Sequence, residues 1–187
     1  MEGHTKIAEV RVNKVAANLL GALVALGLCA AGFLLARSLP HHVRSAPWHD
    51  SAVLIAIIIL VPFHEGLHAL GWRWFGGASW SDIKFGVMWQ VLTPYCHCRA
   101  PLPVSAYMKG GLLPFWVTGS LSLAAVLLYP ADLVGVFAGF TIAACFGDFW
   151  VAIKLKKFDR TYLVLDSPTQ IGFDVYAPAQ CETANAS

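Results

Sequence analysis

Four side chains of types that bind or work beside a metal ion, His64, Glu65, His68 and Asp148, fall inside long apolar stretches of this sequence. The first three form His64-Glu65-Gly66-Leu67-His68, an H-E-x-x-H motif. On a helix, residues i and i+4 share a face, so two imidazoles at this spacing converge on one ion. The glutamate beside the first histidine reaches a water at that ion and can act as general base. A buried histidine pair satisfied by neighbouring helices, or a haem-ligating pair, gives no reason for the glutamate. Protonatable groups at membrane depth cost at least about 2.5 kcal/mol each, so a chain keeps them only where they bind something or one another.

A catalytic zinc takes three protein ligands plus water, and two histidines leave it one short. Depth arithmetic suggests Asp148. Taking about 1.5 Å per residue, His64 and His68 lie roughly 13 and 7 Å before Arg73, and Asp148 lies roughly 9 Å before Lys154. Two neighbouring helices running the same way would then present all three ligands at one level. The alternatives for Asp148 are an interfacial position or a pair with Lys154 or a protonated histidine. Gly147 would allow close approach of helix and metal site. A second group, Cys96, His97 and Cys98, offers thiolate and imidazole ligands. Adjacent strand residues point to opposite faces, so at most Cys96 and Cys98 share one, and a packed loop competes with a metal site. His97 could instead reach over the site as a hydrogen-bond donor to an oxyanion. His41, His42 and His49 read as solvated, and Cys29 and Cys145 as small core residues.

The elements that must carry these residues follow from composition. Of 187 residues, 57% are hydrophobic and 13% charged, with a mean hydropathy of +0.61. Soluble domains carry about 25% charged residues, so this chain cannot cover a water-facing surface of ordinary size. A net charge of +2 is too small to imply nucleic-acid binding. Five cysteines without a regular framework do not make a disulfide-stapled domain. Soluble enzyme, nucleic-acid binder and disordered linker are excluded.

Four apolar stretches, about 15–37, 52–73, 110–129 and 131–153, are long enough to cross a bilayer. The fold class expected is an all-α membrane protein of four transmembrane helices, with a cytoplasmic loop carrying a β-hairpin. The first stretch is too long for the apolar part of a signal peptide and reads as a retained helix. With four spans, both termini and the 74–109 loop share one side. That side holds Lys6, Arg11, Lys14, Arg73, Lys84, Arg99, Lys109, Lys154, Lys156, Lys157 and Arg160, against Arg37 and Arg44 opposite. The positive-inside rule then puts both termini in the cytoplasm of a multi-pass cell-membrane protein. Within the loop, Ile83, Phe85, Val87, Trp89 and Val91 alternate, which predicts a strand or hairpin. Short strands are expected around Asp166-Ser167-Pro168. Residues 1–176 form one integral-membrane unit, with 177–187 a disordered tail.

At these residues the sequence resembles the bacterial putative zincin peptidases, small integral-membrane proteins. The resemblance runs from about Pro62 to Tyr176. It is carried by His64-Glu65-Gly66-Leu67-His68-Ala69-Leu70, Phe75-Gly76-Gly77-Ala78, Ile83-Lys84-Phe85-Gly86, Tyr95-Cys96-His97-Cys98, Pro101-Leu102, Gly147-Asp148 and Asp166-Ser167-Pro168. It implies a metallopeptidase. A more distant similarity is to the site-2 intramembrane metalloproteases, which carry the motif on a membrane helix and a third aspartate ligand from a later span. That likeness supports His64, His68 and Asp148 as ligands and Glu65 as base. Asp148 is followed by Phe149, however, where those enzymes have a Leu-Asp-Gly context.

The activity expected is a zinc-dependent intramembrane endopeptidase with one Zn2+ per chain. It would act within the lipid bilayer on a membrane-protein or peptide substrate, with segment 83–91 as a strand that could hold an unwound substrate by β-addition. Paired only within its own hairpin, the segment would have no such role. A membrane zinc hydrolase of a lipid or small amide would use the same residues. A non-catalytic metal-binding regulatory protein would need His64 and His68 but not Glu65. A transporter would want polar residues continuing to the far side, and none do.

Overall fold

The computed structural model describes residues 3–44, 47–89, 93–167 and 172–179. Strand β1 (His4–Arg11) leads into helix α1 (Lys14–Ser38), and α2 (Pro47–Gly76) returns. Strands β2 (Ile83–Met88), β3 (Thr93–Cys98) and β4 (Leu102–Pro103) follow. Helix α3 (Val104–Pro114) continues through a π-helical turn, Phe115–Gly119, into α4 (Ser120–Leu128). Helices α5 (Asp132–Ala144) and α6 (Phe146–Leu155) abut at Cys145, and β5 (Leu163–Asp166) and β6 (Gly172–Pro178) close the chain. Four helical stretches are long and apolar enough to cross a membrane: Val15–Ser38, Ser51–Gly76, Val104–Leu128 and Asp132–Leu155. They match the four expected, except that the third begins six residues earlier. Its start is set by Pro103, which cannot continue a helix backwards, and by a hydrogen bond from Val104 N–H to the Tyr162 carbonyl at 2.8 Å.

Local chemistry explains the helix ends and contacts. Asn13 caps α1, its side-chain oxygen accepting from the N–H groups of Val15 and Ala16 at 3.1 Å each. Helix α1 then packs along α5 through glycines. A Cβ built on Gly135 would lie 2.3 Å from the Gly32 carbonyl oxygen, and one on Gly139 2.2 Å from that of Leu28. Small residues let membrane-type helices approach this closely. At the end of this pair, Asp132 accepts from Arg37 Nε at 2.8 Å and faces His42 Nε2 at 3.0 Å. His42 is therefore paired rather than simply solvated, and His41 Nε2 lies 3.1 Å from the Leu127 carbonyl oxygen. His49 lies where side chains are not described.

The expected all-α class needs correction, because the chain also builds two antiparallel sheets. One has strand order β1-β6-β5-β4, and the other is the β2-β3 hairpin. The first joins the N-terminal strand, the strand before α3 and both strands after α6, so both termini lie at one end of the helices. Strand β1 went unread because it pairs across the whole length of the chain, His4 opposite Pro178, which no local period signals. Strand β6 also extends into the expected tail at Ala177 and Pro178, while 180–187 lie outside the described residues. Beneath this sheet a core gathers Trp72, Leu102, Tyr107, Leu155, Phe173 and Val175. Fully burying a side chain such as Phe173 contributes about 1.5–3 kcal/mol, enough to anchor the sheet on the helix ends.

Asp174 fastens β1 to β6: Arg11 donates to its Oδ1 at 2.7 Å and Lys6 approaches its Oδ2 at 3.0 Å. Burial pushes the Asp174 carboxyl up, but the hydrogen bonds from Lys6 and Arg11 outweigh it and hold the pKa below the ordinary 3.8. A depressed carboxyl stabilises the fold above its unfolded pKa and loses that contribution as pH falls through the folded one. Amide protection across residues 4–11 is therefore expected to hold above about pH 4 and to fall below it, whereas Asp174→Asn lowers it at neutral pH as well. Hydrogen exchange of this segment measures both.

The hairpin also departs from expectation. It does not hang off the C-terminal end of α2 as a loop. Strand β3 packs along α2, and Phe85, Val87 and Pro94 share an apolar recess with Val61, Pro62 and Glu65. Val61 lies 15 residues before Gly76, about 22 Å at the helical rise, so the hairpin runs back beside the middle of the apolar helix. Phe85 is 58% and Trp89 76% exposed.

Candidate metal centre

His64 and His68 occupy one face of α2, two and six residues after Pro62, which removes one helical hydrogen bond just before the motif. Both are buried, at 8% and 6% exposure. Asp148 stands in the first turn of α6, where the helix dipole favours a carboxylate. The break at Cys145 creates that helix start inside the fourth apolar stretch.

The three side chains meet. His64 Nε2 lies 3.2 Å from His68 Nε2. Asp148 sets Oδ2 3.4 Å from His64 Nε2 and Oδ1 3.3 Å from His68 Nε2. One ligand atom from each of the three residues lies within 4.8 Å of the others, and the 3.2 Å between the two imidazole nitrogens is near the about 3.3 Å that separates neighbouring ligands in a tetrahedral zinc site. Two buried atoms, His64 Nδ1 and Asp148 Oδ2, lack a hydrogen-bond partner within the protein. An unpartnered buried carboxylate oxygen is costly, and a cation bound by the cluster would compensate it. Among the described residues this is the group of three His, Cys, Asp or Glu side chains arranged to hold an ion.

The second ring nitrogen of His68 is already engaged. Nδ1 lies 3.3 Å from the Gly110 carbonyl oxygen. A carbonyl only accepts, so Nδ1 carries the proton and Nε2 presents its lone pair to the cluster. Close helix packing makes this possible. A Cβ on Gly71 would lie 2.6 Å from Gly110 Cα, and one on Gly110 2.3 Å from Trp72 Cδ1. Gly147 plays a different part from the close approach expected of it. A Cβ there would meet nothing within 4 Å, because this residue borders open space.

That space is a cavity of about 770 Å³ that reaches His64, Glu65, His68 and Asp148. Asn13 and Ala17 of the α1 start, Cys96 of β3 and Gly147 of α6 also line it. Glu65 faces the same cavity without joining the ligand cluster. A backbone hydrogen bond from Cys96 N–H reaches its carboxylate. The cluster thus borders a cavity that Glu65 also lines.

The Cys96-His97-Cys98 run does not form a second centre. His97 turns to Asp166, its Nδ1 3.5 Å from Oδ2, and so does not reach over the metal cluster. Burial raises both thiols, Cys98 to about 11. Neither thiol joins a group of side chains arranged to hold an ion among the described residues. Cys145 is buried, its Sγ 3.5 Å from the Thr141 carbonyl oxygen, a small core residue as expected.

Four long apolar helices and a His-His-Asp cluster with a glutamate on the same cavity define a small, mostly helical protein with a group that could hold a metal ion. Residues 57–163, more than half of the chain, match the family described as putative zincin peptidase, and the chain belongs to that family. No curated protein and no solved structure matches the chain.

Proposed function

We propose that this protein is a zinc-dependent intramembrane endopeptidase, with His64, His68 and Asp148 as ligands and Glu65 as general base. The observation that carries the reading is the convergence of His64, His68 and Asp148, the two imidazole nitrogens 3.2 Å apart and one carboxylate oxygen within 3.4 Å of each, with Glu65 on the same cavity. The four apolar helices cross a bilayer and both termini lie in the cytoplasm, a reading supported by the eleven basic residues at that end. Residues 1–176 act as one unit.

Zinc in this cluster would polarise a carbonyl and bring the pKa of a water to about 7. The remaining chemistry belongs to the chain. Glu65 accepts the proton of the attacking water as the new C–O bond forms at the scissile carbonyl. It then delivers that proton to the amide nitrogen as the C–N bond breaks. The Cys96 N–H holds Glu65 off the ligand set. Apolar residues of α1 and α5 line the cavity together with the polar Arg11 and Asn13, and water would enter on the polar side.

An α-helical substrate hides its carbonyls and must unwind to be cut. The edge that would hold it is β3, which brings Pro94, Tyr95 and Cys96 to the cavity, whereas the described part of segment 83–91 brings Met88 alone. Cys96 and Cys98 send their N–H groups to Glu65 and Asp166 instead of to β2. Their carbonyls, like that of Pro94, therefore face outward as well. An open strand edge is not tolerated in hydrocarbon unless protein or a water-filled cavity covers it. This favours an extended peptide over a lipid or small amide, although the centre could hydrolyse any of the three.

The test uses purified full-length protein in liposomes of anionic and zwitterionic lipid, mixed with a panel of single-span peptides and read by mass spectrometry. Cleavage inside the apolar segment, abolished by a chelator and restored by zinc, is the expected result. Absence of cleavage from every peptide, or cleavage indifferent to chelation, overturns the reading.

A further inference from the structure

A carboxylate outside the matched residues 57–163 holds the strand and the helix that flank the site. Asp166 ends β5 and is buried, at 9% exposure. Its Oδ2 accepts the Cys98 N–H at 2.9 Å, and its Oδ1 accepts the Tyr107 hydroxyl. His97 Nδ1 stands 3.5 Å from Oδ2. Burial pushes this carboxyl above the ordinary range, against the hydrogen bonds from Tyr107 and Cys98. A chain retains such a group where it fixes something.

Two arms lead from it to the centre. Along β3, Cys98 and Cys96 are two residues apart and send their N–H groups to the same edge. Holding Cys98 N–H at Asp166 thus sets the height and tilt of Cys96 N–H at Glu65. Through α3, the Tyr107 ring stacks on Trp72 with centroids 5.2 Å apart, and Trp72 stacks on His68 at 5.6 Å and 19°. Trp72 Nε1 also donates to the Tyr107 carbonyl at 3.2 Å. One side chain thereby backs the strand beside the base and the ring behind a ligand.

We propose that Asp166 is a positioning residue that fixes Glu65 through β3 and His68 through the Tyr107–Trp72 stack. Its effect on turnover rests on the peptidase reading. Its effect on β3 does not. The experiment compares wild type, Asp166→Asn and Tyr107→Phe as zinc-loaded, full-length protein in detergent. It reads hydrogen exchange of the 93–98 amides, zinc per chain, and kcat and KM for a peptide cut by the wild type.

For Asp166→Asn the Cys96 amide, which does not touch residue 166, is expected to exchange at least about tenfold faster. Turnover, kcat, falls about 10- to 100-fold, as for other residues that orient a first shell, with KM within about twofold and zinc per chain unchanged. Tyr107→Phe keeps the ring stack and loses only the hydroxyl. A smaller kcat loss is expected, one that does not add to that of Asp166→Asn in the double variant. Acceleration confined to Cys98, an unchanged kcat, or a kcat that falls only with the folded fraction overturns the assignment. Should Asp166→Asn fail to fold, Tyr107→Phe with wild-type exchange at Cys96 and wild-type kcat does the same. A wild type that cuts no peptide removes the peptidase reading, and the exchange at Cys96 then decides the role of Asp166 alone.

Discussion

Asp148→Ala is expected to strip the protein of its zinc: close to one ion per chain in the wild type, and little or none in the variant after dialysis. The two histidines remain in place, since their orientation comes from α2 and, for His68, from the Gly110 carbonyl. Two imidazoles alone give half of a tetrahedral set. Residues that merely orient a ligand already cost about 10- to 100-fold in affinity or activity when removed, so losing a ligand itself should exceed that. The variant also leaves the fold nearly intact, because Asp148 borders the cavity and its close charge contacts are to the two histidines. Metal analysis of detergent-purified protein, with circular dichroism as a check on folding, decides the matter. Zinc retained at wild-type stoichiometry would mean that the third ligand lies elsewhere.

Glu65→Gln should separate holding the metal from using it. The side chain keeps its size and its contact with the Cys96 N–H through the amide oxygen, and it lies outside the ligand cluster. Zinc per chain is therefore expected to stay at the wild-type value. The amide cannot take the proton of the attacking water, and a positioned general base is worth about 10²- to 10⁴-fold in rate. A fall of that size in kcat, with KM little changed, is the expected outcome for peptide cleavage in liposomes. Wild-type turnover in this variant would sink Glu65 as the base. A regulatory metal protein, for which Glu65 is dispensable, would keep its function instead.

How much of this was legible follows from the range over which each signal acts. The His64-Glu65-His68 spacing acts over one helical turn, and the helix carries it from sequence to geometry unchanged. Apolar length acts over one span, so all four helices were readable, and their ends erred by more than three residues only where Pro103 and the Tyr162 carbonyl decide the start of α3. Asp148 was reachable by counting residues to the ends of two helices, because two apolar helices in one slab share a depth scale. Strand β1 was not readable, since its partner lies at the other end of the chain. The role first given to Gly147 failed for a related reason: a glycine's neighbour is set by which helices pack, and the close approaches fell at Gly71 and Gly110, and at Gly32, Gly135 and Gly139.

By itself the sequence determined which chemistry was possible: a helix with two imidazoles on one face, a carboxylate beside them, and a second helix carrying an aspartate at matching depth. Only the tertiary structure decided what that chemistry can meet. It brought Asp148 to 3.3 and 3.4 Å from the imidazoles, turned His97 to Asp166, and set β3, with Met88 at the end of β2, along the cavity. The reason is physical. Ligand identity and helical phase are local properties of the chain, whereas the distance between two helices and the face of a hairpin that packs are set by contacts among residues far apart in sequence.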